Sequence, residues 1–184
     1  MSSSAAAPRS PAVPAWVAAV HAASRVLGVA SAGLILLSVG VICQMVFVRA
    51  VLGQSSIWQT EFTTFALVAA TFLGAPYILL TRGHVAVDVL PLMVGAPARR
   101  MLCLFGYAVT LVFCLFFLYA AIPWWFDAWQ TGQTTSTIWR ARVWIPYLSV
   151  PVGLALLCLE LIADAWLVAT RRADPFGIAP DAKL

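Results

Sequence analysis

The sequence predicts an all-α integral membrane protein: four transmembrane helices with short interfacial amphipathic helices. Three observations lead there. Hydrophobic residues make up 62% of the 184 positions and charged residues only 10%, whereas soluble domains carry about a quarter charged residues. The apolar residues come in long unbroken runs, not in the alternating segments of roughly ten residues that build membrane barrels. The polar groups gather between these runs, and the formal charge of +4 sits there as well. Charge so placed speaks of topology and gives no reason to expect a nucleic-acid partner.

Residues 1–14 are rich in Ser, Ala and Pro and are expected to form a disordered cytoplasmic N-terminus. One late Arg and three prolines precede any apolar run, unlike a cleavable signal, so the first span is expected to remain in the mature chain. The membrane domain is expected over 15–172. It opens with Trp16, Val20, Ala23 and Leu27 at helical spacing beside His21 and Arg25, a short interfacial helix leading into span one. Span one covers about 26–48, and its Gly28, Ala32, Gly33 and Gly40 offer close approach to a neighbouring helix. A short turn makes spans one and two antiparallel neighbours.

Span two covers about 58–81. An amphipathic surface segment follows over 84–94, with His84 and Asp88 one turn apart. Span three, about 101–122, ends at Pro123 and a cluster of Trp124, Trp125, Phe126 and Trp129 suited to the headgroup level. A polar loop over 127–143 ends in Arg140 and Arg142. Span four, about 144–168, carries Pro146, Pro151, Glu160 and Asp164, and a short cytoplasmic tail occupies 173–184. Arg9, Arg25, Arg82, Arg99, Arg100, Arg171, Arg172 and Lys183 fall on one side of the spans, and Arg49, Arg140 and Arg142 on the other. The positive-inside rule then places both termini and the His84 segment in the cytoplasm, with the 127–143 loop outward.

Few residues carry chemistry. Cys43, Cys103, Cys114 and Cys158 lie in apolar runs without paired spacing and read as small core residues. Glu61 sits one turn below the outer surface, within reach of Arg49; the pair would fix the packing of spans one and two. The sharper alternative is a proton or cation site, as in small drug antiporters. Arg82, Gly83, His84 and Asp88 form a turn in which the Asp can orient the imidazole, with too few local ligands for a metal. Glu160 falls near mid-bilayer, where it must be protonated, paired or packed against another subunit. Asp164 lies close enough to Arg171 or Arg172 to be structural. The two histidines fall outside the spans, which argues against haem, and no nucleotide loop, nucleophile triad or zinc signature occurs. No catalytic, cofactor-binding or metal residues are expected, and the chain does not read as an enzyme.

Trp58-x-x-Glu61, Phe72-Leu73-Gly74-Ala75, and Arg82-Gly83-His84-Val85-x-Val87-Asp88 appear in that order, followed by Ile145-Pro146 and Val150-Pro151-Val152-Gly153. With the four-span layout, the chain over about 26–168 resembles the small membrane subunit (DctQ family) of tripartite ATP-independent periplasmic transporters. Two positions depart from the pattern. Thr64 stands where members often carry an Arg one turn after the glutamate, and Val68 where an aromatic is common. Arg49 is then the local partner left for Glu61, and Glu160 has no counterpart.

The resemblance implies a multi-pass protein of the bacterial inner membrane. It would scaffold a large permease subunit (DctM family) and help dock a periplasmic solute-binding protein (DctP family). The uptake would be of an organic acid, with sodium coupling in the large subunit and no cofactor on this chain. Arg49, Trp58, Glu61, Gly74, Arg82, Gly83, His84 and Asp88 would form the partner interface or structural motif, and Arg140 and Arg142 the docking candidates. Lipid is the remaining partner. The alternative from another class is a self-contained small homo-oligomeric ion-coupled transporter using Glu61 or Glu160.

Overall fold

The computed structural model describes residues 14–53, 57–81, 95–172 and 175. The chain forms α1 (Ala15–Leu52), α2 (Trp58–Leu80), α3 (Ala96–Gln130), a one-turn α4 (Trp144–Tyr147) and α5 (Ser149–Ala169). Among the described residues, four stretches are long and apolar enough to cross a membrane, the last combining α4 with α5. The interfacial segment expected ahead of span one is continuous with it: α1 runs 38 residues without a break. At 1.5 Å per residue that is about 57 Å, well beyond a hydrocarbon layer of about 30 Å. Part of α1 therefore stands outside the hydrocarbon. Gly53 ends it in the left-handed conformation, at φ 62°, as a helix-terminating glycine does. Pro123, expected to close span three, lies inside α3 instead.

The long helix α5 is the centre of the bundle and touches α1, α2 and α3, while α1 packs mainly on α2. Within the most apolar window of each span, 44% of the last is buried inside the chain, against 11% for α1 and for α3. The outer helices thus present most of their surface to lipid or to partners.

The inner face of α1 is a seven-residue repeat: Val17, Ser24, Ser31 and Ser38 are buried, with Gly28 between them. A repeat of seven keeps one stripe of a helix against its neighbour. Small polar residues suit that stripe because each hydroxyl is satisfied. Ser31 Oγ donates to the Ala70 carbonyl at 2.6 Å and Ser38 Oγ to the Leu34 carbonyl at 2.8 Å. Of the small residues expected to pack, only Gly28 does so, against Tyr77. A Cβ at Gly33 or Gly40 would meet nothing, and Ala32 is exposed. They lie off the serine stripe, on the outward face.

At the waist of the bundle two of the quoted sequence segments meet. Pro76 is buried inside α2 and has no N–H to give the carbonyl four residues earlier, that of Phe72. That carbonyl faces Gly153 of α5 so closely that any Cβ there would overlap it. Gly74 is similarly pressed, since an added Cβ would fall 2.6 Å from Ser31 Oγ. The proline and two glycines thus let α1, α2 and α5 cross at near-backbone contact. Below the waist, Cys114, Cys158 and Leu161 join α3 to α5 with Tyr107, Leu111 and Leu157 around them. Cys103, Cys114 and Cys158 are buried as expected, but Cys43 is exposed on the outer side of α1.

Candidate functional site

The antiparallel bundle has two polar ends. The first lies where α1 begins and α5 finishes. Val17 packs against Ala163 and Leu167, and Trp16 meets Trp166 edge-on with centroids 5.8 Å apart. The Arg172 guanidinium lies 5.0 Å from the Trp166 ring, and Arg100 donates to the Ala169 carbonyl. Arg99, Arg100, Arg171 and Arg172, all assigned to one side by counting, are gathered here.

About two and a half turns in from the end of α5 sits Glu160, whose side chain is fully buried. It lies on the same face of α5 as Ala163, Asp164 and Leu167, the face that α1 covers. Ser24 Oγ donates to its Oε2 at 2.8 Å, and His21 Nε2 lies 3.3 Å from its Oε1. Glu160 is therefore compensated within the chain, the pairing option among those open to it. His21 was read from sequence as a residue of a polar face. It is instead turned inward, 19% exposed, because it sits between Val17 and Ser24 on the stripe that packs on α5.

The second polar end is built by the end of α1, the start of α2 and residues 131–143. Thr134 and Arg142 form an isolated antiparallel bridge. The Thr135 N–H donates to the Ala141 carbonyl, and the Val143 N–H to that of Gln133. The polar loop is thus a tight hairpin, with Arg140 in the left-handed region at φ 48°. Aromatic residues hold it to the bundle: Trp58, the first residue of α2, lies 6.5 Å from Trp139 between centroids, and Trp124 stacks on Tyr147 at 4.0 Å. Trp125 Nε1 donates to the Trp144 carbonyl at 3.1 Å.

Arg140 and Arg142 are exposed on this hairpin. They stand at the rim of a cavity of about 690 Å³ whose walls include Phe62, Phe65, Leu73 and Val152. Glu61 occupies the first turn of α2, and both its carboxylate oxygens are enclosed yet make no hydrogen bond among the described residues. The expected Glu61–Arg49 pair does not form among the described residues: Arg49 is exposed at the last turn of α1, and the enclosed carboxylate makes no bond to it. Arg82, Gly83, His84 and Asp88 lie outside the described residues.

Three of the sequence-derived candidates thus have a clear structural position. Trp58 anchors the hairpin, Gly74 lies at the helix crossing, and Glu160 is in a cross-helix cluster. Sequence reasoning missed His21 and Ser24 as neighbours of Glu160. The signal for them was the seven-residue spacing of Val17, Ser24, Ser31 and Ser38.

Comparison with known proteins gives a consistent result. Residues 38–171 match the family described as tripartite ATP-independent periplasmic transporters, DctQ component. Among curated proteins, the C4-dicarboxylate TRAP transporter small permease protein DctQ of Vibrio cholerae is 24% identical over 153 residues, covering 70% of this chain and 65% of that protein. The proteins of the same description from Rhodobacter capsulatus and Pseudomonas aeruginosa are 25% and 26% identical. These matches cover 62% and 71% of this chain, and 50% and 63% of the respective relatives. The chain therefore spans between half and two thirds of the length of these relatives. No solved structure matches it.

Proposed function

Because the chain belongs to the DctQ component family of tripartite ATP-independent periplasmic transporters, a transporter component and not an enzyme, we propose that it acts as the small accessory subunit of such a system. It scaffolds a large permease subunit and contributes to docking of a periplasmic solute-binding protein. The substrate class is an organic acid, as the C4-dicarboxylate descriptions of its relatives indicate, and sodium coupling belongs to the large subunit. The protein lies in the bacterial inner membrane with both termini cytoplasmic. The clustering of basic residues at the α1 start and α5 end supports that orientation.

The observation that carries this reading is the family match over 38–171, which takes in the C-terminal part of α1 and all of α2, α3, α4 and α5. The geometry agrees with it. The deep carboxylate Glu160 is engaged by His21 and Ser24 of the same chain, as a structural group would be. The outward surfaces of α1 and α3 are broad and apolar, as needed for lateral contact with a larger membrane partner. The hairpin bearing Arg140 and Arg142 supplies exposed cations for a soluble partner at the outer face.

The test is affinity isolation of the tagged chain from gently solubilised membranes. Recovery of a many-span permease in about equal amount, and loss of organic-acid uptake when the chain is deleted, are the expected results. Recovery of a discrete homo-oligomer that transports alone would replace this reading with the self-contained transporter.

A further inference from the structure

We propose that His21, Glu160 and Asp164 form a binding site for a divalent transition-metal cation, which fastens the beginning of α1 to α5. One ring nitrogen of the histidine and one carboxylate oxygen from each acid all lie within 4.8 Å of one another. They come from two helices, at positions 21, 160 and 164, so the site exists only in the folded bundle.

Two features point to a cation beyond the clustering itself. Glu160 is fully buried, and its Oε1 completes no hydrogen bond; neither does the facing His21 Nε2. The two atoms nevertheless stand 3.3 Å apart. Zinc–nitrogen and zinc–oxygen bonds of about 2.0–2.1 Å at a tetrahedral angle put neighbouring ligand atoms about 3.3 Å apart. The observed separation matches one edge of such a polyhedron. Ser24 accounts for the other oxygen of the same carboxylate, donating to Oε2 at 2.8 Å. That bond orients the group and leaves Oε1 directed at His21, the supporting role that hydrogen bonds play around metal ligands.

The charge balance is also suitable. Two carboxylates and a neutral imidazole match a doubly charged ion, so the enclosed set carries no net charge. Imidazole with carboxylate favours first-row divalent ions over calcium or magnesium. His21, at 19% exposed, is the open side through which an ion would enter.

The experiment is a zinc titration of the purified full chain in detergent against a chromophoric chelator, with X-ray absorption at the zinc edge on the wild type. The proposal predicts one Zn²⁺ per chain with a nitrogen and oxygen ligand set. Losing a hydrogen bond around a metal ligand costs about 10–100-fold in affinity, and His21→Asn or Asp164→Asn, which remove a ligand outright, should cost at least that. His84→Asn, at the only other histidine, should leave binding unchanged. A wild-type chain that takes up no stoichiometric zinc overturns the proposal and leaves a His21–Glu160 ion pair. Zinc held equally by both ligand variants, or an absorption spectrum showing sulfur ligands, overturns it too.

Discussion

The two polar ends of the bundle carry similar residues and treat them oppositely. Near the α1 start, Glu160 is buried with Ser24 and His21 against its two oxygens, and the nearby Arg100 and Arg172 engage groups of the same bundle. At the hairpin end, Glu61 is enclosed with no hydrogen-bond partner among the described residues, while Arg140 and Arg142 are exposed. A buried carboxylate costs several kcal/mol unless it is compensated. The difference is that one buried carboxylate faces side chains of its own chain, whereas the other meets no hydrogen-bond partner among the described residues.

The sharpest way to break this contrast is to remove compensation where the chain supplies it. His21→Ala leaves Glu160 enclosed beside Asp164 without its imidazole. Breaking a buried pair costs about 3–5 kcal/mol, and the partial exposure of His21 puts the expected loss at the lower part of that range. Unfolding of the isolated chain in detergent measures it. A variant as stable as the wild type would mean that the cluster is not what holds α1 to α5.

A second substitution attacks the crossing that both ends share. Gly153→Val drives a side chain into the Phe72 carbonyl, and overpacking of this kind costs about 1–3 kcal/mol. The same unfolding measurement should show the loss, whereas Gly33→Ala and Gly40→Ala should show none, since a Cβ there meets nothing. Equal effects at all three glycines would remove the distinction between the helix crossing and the outward face of α1.

The smallest effect on stability is expected at the hairpin. Exposed substitutions usually fall within about 0.5 kcal/mol, so Arg140→Glu with Arg142→Glu should leave the isolated chain as stable as before. Affinity for the solute-binding protein should fall, with a weaker dependence on salt. Unchanged affinity would take these arginines out of the docking surface.

The contrast itself was only partly legible in the sequence. Long apolar runs reveal the four spans, because a helix in lipid must satisfy its backbone internally and needs about twenty apolar residues to cross. Pro76, Gly74 and Gly153 were visible as residues, two of them within quoted motifs, but their role depends on which helices cross there. Ser24 and Glu160 are 136 positions apart, and no spacing rule connects them. His21 was placed on a polar face because its neighbours Trp16, Val20, Ala23 and Leu27 fit a surface helix. The seven-residue repeat through Val17 and the serines gives the correct inward face. The Glu61–Arg49 pair was inferred from the shortness of the turn alone. Proximity along the chain fixes the level of two residues, and the rotation of each helix decides whether they meet.

The most direct test of the account is the amount of large permease recovered per tagged chain for Glu61→Gln, set beside the thermal midpoint of the same chain in isolation. The account predicts a midpoint equal to or above that of the wild type, because a neutral amide is cheaper to enclose than an unpaired carboxylate, together with a clear fall in recovered permease. A lowered midpoint with permease recovery unchanged would contradict it and make Glu61 an internal structural group like Glu160.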